Sequence, residues 1–368
     1  MHTQKLNLSE LMTVRTESEI EGNFTSVRGE YYVPSISKTG FYKQSGCMLD
    51  ANGDEHLREA LASDILKMIG MPCADVIMVH DDINNENGCL SVNILNPNEQ
   101  FVSSEIGHFD PYTSSKPVYN INDYIENDLD KCSRLPNMTT QILDERRKFL
   151  IRYLFSSAVI SNTDIKTDNC QLIYNSKNGK YRNPEYYDAG IAFLEGENRK
   201  FFGTQTSKEV LQELYNNFPL EIAELAQSVE QNLTPRSIGK LINNDLYSDF
   251  SKEVCKEIKQ RITDIANFVK TQNHKVKRQD IGINIKQKIA NVIAKIKNIF
   301  SGKEVKMLTD GTENYEQQED LHKKFMFKYG QNTFESQMKQ SDIQNENEQQ
   351  STKDTKEKNT EGPEIDDR

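Results

Sequence analysis

The sequence predicts an α+β fold in two lobes: a small β-rich N-terminal lobe with one helix, then a larger helical C-terminal lobe, with a disordered C-terminal tail. Three observations carry this prediction. Strand-like runs bounded by turn residues fill residues 1–115, with one strongly periodic helix among them. Helical periodicity dominates residues 116–300. From residue 301 to 368 the chain is polar and acidic.

In the first segment, residues 30–33 and 40–43 flank a turn-like connection that begins at Pro34, and read as a hairpin. The helix follows at about 55–69. Leu57, Leu61, Ile65 and Ile69 recur every four residues, and Gly70 and Pro72 stop it. Residues 74–79 and 89–95 are buried-strand runs. Strand, hairpin, helix, strand, strand is not a βαβ alternation, so it predicts a small antiparallel sheet carrying one helix.

In the second segment, residues 142–160 place Phe149, Leu150, Tyr153, Leu154 and Ala158 on one helical face. Further helices are expected at 207–217, 220–230, 237–242, 252–271 and 284–300. The last combines an isoleucine stripe with Lys286, Lys288, Lys295 and Lys297. It reads as a closing helix packed on the larger lobe with its lysines outward. Contact with an anionic membrane or an acidic partner is the alternative.

The net charge is −11. Residues 301–368 hold 10 basic and 16 acidic residues, so this tail supplies −6 of it. Such a stretch cannot bury enough apolar surface to offset its ordering entropy. It also lowers the hydrophobic fraction to 36%, against a usual ~45–50%. Residues 321–327 stand out within it as a short apolar and basic docking element. The acidic balance argues against direct nucleic-acid binding, which needs a basic face. No run approaches the ~18 apolar residues of a membrane span, and the N-terminus lacks a secretory stretch. Cys47, Cys73, Cys89, Cys132, Cys170 and Cys255 show neither C-x-x-C nor zinc spacing, and read as separate thiols. A soluble, cytoplasmic protein is expected.

The chemistry concentrates in one stretch. Asp164, Lys166 and Asn169 form a D-x-K-x-x-N loop leading into an apolar strand. After a turn at Asn178–Gly179 and a second strand over 184–193, Asp188 and Gly190 supply D-x-G. Phosphoryl transfer from ATP explains this order. One carboxylate orients the attacking hydroxyl, an amide a few residues on ligates a metal, and a second carboxylate reaches that metal from a neighbouring strand end. Asp164, Asn169 and Asp188 fit these places, with Gly190 giving tight backbone beside Asp188. Hard oxygen donors suit Mg²⁺, and Lys166 is placed to meet the transferring phosphate.

Upstream, Lys43 ends a strand and Glu59 lies on the following helix, the pair such chemistry needs for α/β-phosphates. Glu55 and Asp54 are rival partners. Each residue also has a bland reading: turn capping for Asp164 and Asn169, an edge-strand charge for Lys43, a solvated helix face for Glu59. Neither G-x-x-x-x-G-K-[ST] nor G-x-G-x-x-G occurs. The turn over 22–29, with Ser26, Arg28 and Gly29, is the candidate phosphate cover, or else an ordinary loop.

The motifs NTDIKTDN and YYDAG, with the helix EALASDILKMIGMP, resemble the HipA-like branch of the protein-kinase-like fold, including the CtkA-type bacterial kinases. The resemblance spans roughly residues 22–300. It implies a bilobal kinase with a nucleotide-binding lobe (1–115) and a catalytic lobe (116–300). It makes Asp164 the catalytic aspartate, Asn169 and Asp188 the metal ligands, and Lys43 the phosphate lysine partnered by Glu59. Residues 100–106 would lie at the hinge near the adenine. ATP and Mg²⁺ are the implied cofactors, and Ser/Thr of a protein the implied acceptor. The family usually has His where this chain has Lys166; lysine keeps a positive donor there. A pseudokinase or nucleotide-binding interaction module is the alternative, as is a kinase acting on a lipid or small molecule.

Overall fold

The computed structural model describes residues 5–16, 27–44, 53–102, 120–196 and 199–300. Ser26 with most of the predicted phosphate turn, Cys47, residues 103–106 of the predicted hinge and the tail 301–368 lie outside them. So do the side chains of the predicted basic helix 284–300. The chain divides into two compact units, 1–284 and 285–368; the end of one long helix is the described part of the second.

Six strands form the first sheet: β1 (Leu6–Asn7), β2 (Met12–Thr16), β3 (Val27–Val33), β4 (Lys38–Gln44), β5 (Val76–Asp81) and β6 (Glu86–Val92). Their order is β1-β5-β6-β4-β3-β2. The expected hairpin is β3–β4, with Val33 opposite Lys38 and Tyr31 opposite Gly40. β6 crosses β4 with Cys89 opposite Lys43. The all-antiparallel expectation needs correction, because β1 pairs parallel with β5, Leu6 opposite Val79. A two-residue strand shows no period, and β2 is exposed along its whole length, so neither carries the alternation that marks a half-buried strand. Leu8, Val33, Tyr42, Ile77, Val79, Leu90 and Val92 form this sheet's own core.

Helix α1 (Glu55–Met68) follows β4 and ends one residue short of its expected end. Ten of its fourteen residues are buried, so it is covered nearly all round rather than along one stripe. Leu57, Leu61 and Ile65 share a cluster with Met78 and Cys89 of the sheet, but also with Tyr153, Tyr186, Tyr247 and Phe250. The helix is therefore gripped by the large lobe and is not simply carried by the sheet.

β7 (Glu99–Phe101) leaves the first sheet and pairs with β8 (Ile173–Asn175), which pairs in turn with β9 (Lys180–Arg182). Arg182 fastens this second sheet through two bonds to the Glu99 carboxylate, at 3.0 and 2.8 Å. The strand expected over 184–193 is reduced to a single bridge, Tyr186 with Cys73, before the chain turns at 190–193.

The large lobe is built from α2 (Ile121–Ser133), α3 (Thr140–Val159), α4 (Ser207–Asn217), α5 (Pro219–Asn232), α6 (Pro235–Ile242) and the part of α7 (Lys252–Phe300) that lies in the first unit. α2 has no counterpart among the predicted helices. Side-chain caps start several of them: Asn120 accepts from the Asp123 amide, Thr139 from Ile142, and Thr206 and Glu209 form a capping box. The two helices expected at 252–271 and 284–300 are one continuous helix. The connecting stretch has no proline, and Gly282 alone costs only ~1 kcal/mol. Among the described residues no helix is long and apolar enough to cross a membrane. Cys73, Cys89, Cys132, Cys170 and Cys255 are free thiols, as expected.

Candidate active site

The candidate loop begins where α3 stops. Ser161 takes φ 48° and turns the chain. Buried Asn162 then does two jobs. Its Nδ2 donates to the Tyr186 hydroxyl at 2.9 Å, and its Oδ1 accepts the Asp164 amide at 3.2 Å. Ile165 is fully buried and anchors the middle of the loop. A 3₁₀ turn, Thr167–Cys170, brings Asn169 back toward Asp164. Asn169 Nδ2 donates to the Asp164 carbonyl at 3.0 Å and to Oδ2 at 3.2 Å. With its nitrogen so engaged, Asn169 keeps its carbonyl oxygen as an acceptor. Lys166 Nζ lies 3.4 Å from Asp164 Oδ1.

Two residues that sequence reading missed hold this loop. Tyr187 donates from its hydroxyl to the Asp168 carbonyl and accepts from the Gln171 amide, tying the loop to the D-x-G segment. Arg146, on α3, is 1% exposed. It donates to Asp128 at 2.7 and 2.8 Å and to the carbonyl of Cys170, next to Asn169, at 2.8 Å. Its guanidinium lies 5.3 Å from the Phe149 ring centroid.

The second half of the site comes from the sheet and α1. Lys43 Nζ contacts Glu59 Oε1 at 3.0 Å, Glu59 Oε2 at 2.8 Å and Asp188 Oδ1 at 2.8 Å. β4 lies between β3 and β6, so Lys43 is not an edge charge. The Glu59 side chain is 2% exposed, which removes the solvated-face reading. The rival Asp54 lies 4.0 Å from Arg58 instead. Close packing makes this corner tight. A Cβ on Gly88 would meet the Tyr42 ring at 2.4 Å and the Lys43 carbonyl at 2.5 Å.

Asp188 itself adopts φ 61°, in the left-handed region that non-glycine residues visit rarely and mostly at functional sites. The special backbone expected at Gly190 is therefore two residues earlier. A Cβ at Gly190 would stand 3.7 Å from Glu55 and Glu59 atoms, an ordinary contact, so that position does not need glycine.

The charges are mutually dependent. Burial works against the Lys43 ammonium, but Asp188 and then Glu59 outweigh it and keep its pKa raised. Lys43 holds the Asp188 pKa down against burial, with help from Lys166. Glu59 goes the other way, raised by burial despite Lys43. The Asp188 side chain is 44% exposed, so solvent screens it more than Glu59. Burial raises the Asp164 pKa; Lys166 opposes this and Asp188 adds to it. Asp164 and Asp188 thus feel one another, and the loop and the ion-paired corner form one site.

Arg28 and Gly29 are in strand β3, with Arg28 Nε donating to Gln44 at 3.3 Å and Gly29 opposite Tyr42, so the described end of the predicted turn is strand. Gln100 of the predicted hinge lies in β7 opposite Tyr174. Among the described residues no group of three or more His, Cys, Asp or Glu could hold a metal unaided. Asn169 and Asp188 do offer two oxygen donors, a set that suits a hard cation shared with phosphate oxygens.

The strand lysine, the buried helix carboxylate, the D-x-K-x-x-N loop and the D-x-G aspartate thus meet in one site of an α+β fold. No family model matches the sequence, and no curated protein matches it. Among solved structures the chain is similar to the Helicobacter pylori proinflammatory kinase CtkA, at 10% identity over 69% of this chain and 98% of that one, with a TM-score of 0.46. It is similar to HipA of Shewanella oneidensis MR-1, solved with HipB and operator DNA, at 11% identity over 64% and 59%, TM-score 0.42. It is also similar to the Golgi casein kinase, at 11% identity over 69% and 72%, TM-score 0.40.

Proposed function

We propose that this protein is an ATP-dependent kinase that transfers the γ-phosphate to Ser or Thr of a protein substrate with a divalent cation. The observation that carries this reading is the Lys43 ammonium, bonded to both Glu59 and Asp188 across a span of 145 residues. A lysine held between a helix carboxylate and a D-x-G carboxylate is the phosphate-binding arrangement of kinase chemistry.

In this reading Lys43 takes nucleotide phosphate oxygens and Glu59 keeps the ammonium in place. Asn169 and Asp188 would hold Mg²⁺, which when bound would neutralise charge developing on the phosphates. Asp164 orients the acceptor hydroxyl and accepts its proton. Its raised pKa makes it a better base than an ordinary aspartate. Lys166, 3.4 Å from Asp164, supplies a positive donor beside the transferring group. The Ser/Thr acceptor is supported by the likeness of the D-x-K-x-x-N loop to that of Ser/Thr kinases, and lipid or small-molecule hydroxyls are the competing acceptors. A purely nucleotide-binding module would use Lys43, Glu59, Asn169 and Asp188 but has no use for Asp164 as a base, so the complete set favours transfer over binding alone.

The test is ATP turnover and autophosphorylation of the wild type and Asp164→Ala, followed by phosphoamino-acid analysis. Loss of transfer in the variant and phosphoserine or phosphothreonine in the wild type are expected. Equal background signals in both would sink the reading.

A further inference from the structure

Helix α1 presents Glu59 to Lys43 and is held elsewhere by the large lobe. Three residues hold it at successive points. Phe250 lies 5.9 Å from the Arg58 guanidinium. The Tyr247 hydroxyl donates to Asp64 Oδ2 at 2.8 Å. Asn232 Nδ2 donates to the carbonyl of Met68, the last residue of the helix, at 2.8 Å. From Arg58 to Met68 these points span about 15 Å of helix axis.

The middle point has a special neighbourhood. Tyr247 is 2% exposed, and its ring stacks on Phe250 at 6.3 Å. Beside it is a solvent-open cavity of about 340 Å³ lined by Ala60, Asp64, Lys67, Met78, Leu246 and Tyr247, among others. Asp64, Lys67 and Met68, on this side of α1, are not among its buried residues, so packing holds it less closely here than elsewhere. Two polar contacts bridge the opening, the Tyr247–Asp64 hydrogen bond and the Lys67–Asp75 ion pair at 2.7 Å. Asp64 is five residues from Glu59, so a roll or slide of α1 into the cavity carries Glu59 away from Lys43.

We propose that Tyr247 is a positioning residue: by bonding Asp64 across the cavity it fixes α1, and so fixes Glu59 on Lys43. Only the consequence for phosphate transfer rests on the kinase reading.

The experiment uses the full chain in four forms: wild type, Tyr247→Phe, Asp64→Ala and Asp64→Asn. The first readout is acylation of Lys43 by an amine-reactive ester, followed by mass spectrometry against exposed Lys180 of β9. A loosened ion pair frees the Lys43 amine, otherwise tied up by Glu59 and Asp188, for the ester. Tyr247→Phe and Asp64→Ala are expected to raise Lys43 acylation several-fold with Lys180 unchanged. Asp64→Asn, which keeps an acceptor oxygen, is expected to behave as wild type. The second readout is phosphate transfer, where kcat falls in the first two variants and KM for the acceptor holds. Unchanged Lys43 acylation overturns the proposal, and so does a parallel rise at Lys43 and Lys180, which marks general loosening. If acylation responds as expected but Lys43→Met transfers phosphate as well as wild type, the positioning role stands and the kinase reading fails.

Discussion

Replacing Arg146 with alanine is expected to strand a charge in the protein interior. The Arg146 and Asp128 side chains are 2% and 7% exposed and share two bonds at 2.7 and 2.8 Å. Without the guanidinium, Asp128 keeps a weak contact from the Cys132 thiol, at 3.5 Å. Breaking a buried pair from one side costs about 3–5 kcal/mol, because desolvation of the remaining ion is no longer offset. At about 2–4 °C per kcal/mol for a unit of this size, the melting temperature should fall by roughly 6–20 °C. The double variant Arg146→Met, Asp128→Leu removes both charges and should recover the part due to the stranded carboxylate. It still lacks the bond to the Cys170 carbonyl, at about 1–3 kcal/mol for a charged donor. Thermal and denaturant melts of the three proteins measure this. A single variant within 1 kcal/mol of wild type, or a double variant no better than the single, would refute the reasoning.

Four further outcomes follow from the same geometry. Gly88→Ala drives a methyl into the Tyr42 ring and the Lys43 carbonyl, and should cost about 1–3 kcal/mol in urea melts, where a neutral result means β6 can move off β4. The acid limb of kcat/KM should lie above the ordinary aspartate value of ~3.9, because the base must be ionised and the Asp164 pKa is raised. Lys166→Met should move that limb to higher pH, since Lys166 lowers the Asp164 pKa, and a downward move contradicts the assignment. A raised folded-state pKa also means that Asp164 favours folding when protonated and loses that contribution as pH rises through it; Asp164→Asn should therefore melt higher at neutral pH while losing transfer. Lys43→Met leaves Glu59 buried beside Asp188, so its melting deficit should shrink as pH falls and Glu59 takes up a proton. A deficit constant from pH 5 to 8 would argue against that charge balance.

The candidate site was legible because its residues lie close in sequence or carry a strong period. Asp164, Lys166 and Asn169 fall within six positions, and α1 declares itself by Leu57, Leu61 and Ile65. What was hidden depends on pairing between distant segments. β1 has two residues and β2 buries none, so no alternation marks them. Arg146 stands in the run Glu145-Arg146-Arg147-Lys148, which reads as a solvated face. Only the packing of α2 against α3 reveals that one of its cations is buried on Asp128. Tyr186 and Tyr187 look like strand residues, yet their hydroxyls serve Asn162 and the loop backbone. The left-handed turn at Asp188 leaves no trace in composition, because its neighbour Gly190 is the residue that suggests one.

The Lys43 contacts also have a stoichiometric consequence. An ammonium has three protons to give, and here three carboxylate oxygens take them, two on Glu59 and one on Asp188. A fourth acceptor can enter only by exchange. Glu59 is sealed at 2% exposure, whereas Asp188 is 44% exposed, so Asp188 is the exchangeable partner. In the proposed kinase reading, the resting lysine is occupied by an internal anion that an incoming phosphate would replace. The Asp188 carboxylate released in that exchange would then be an available oxygen donor.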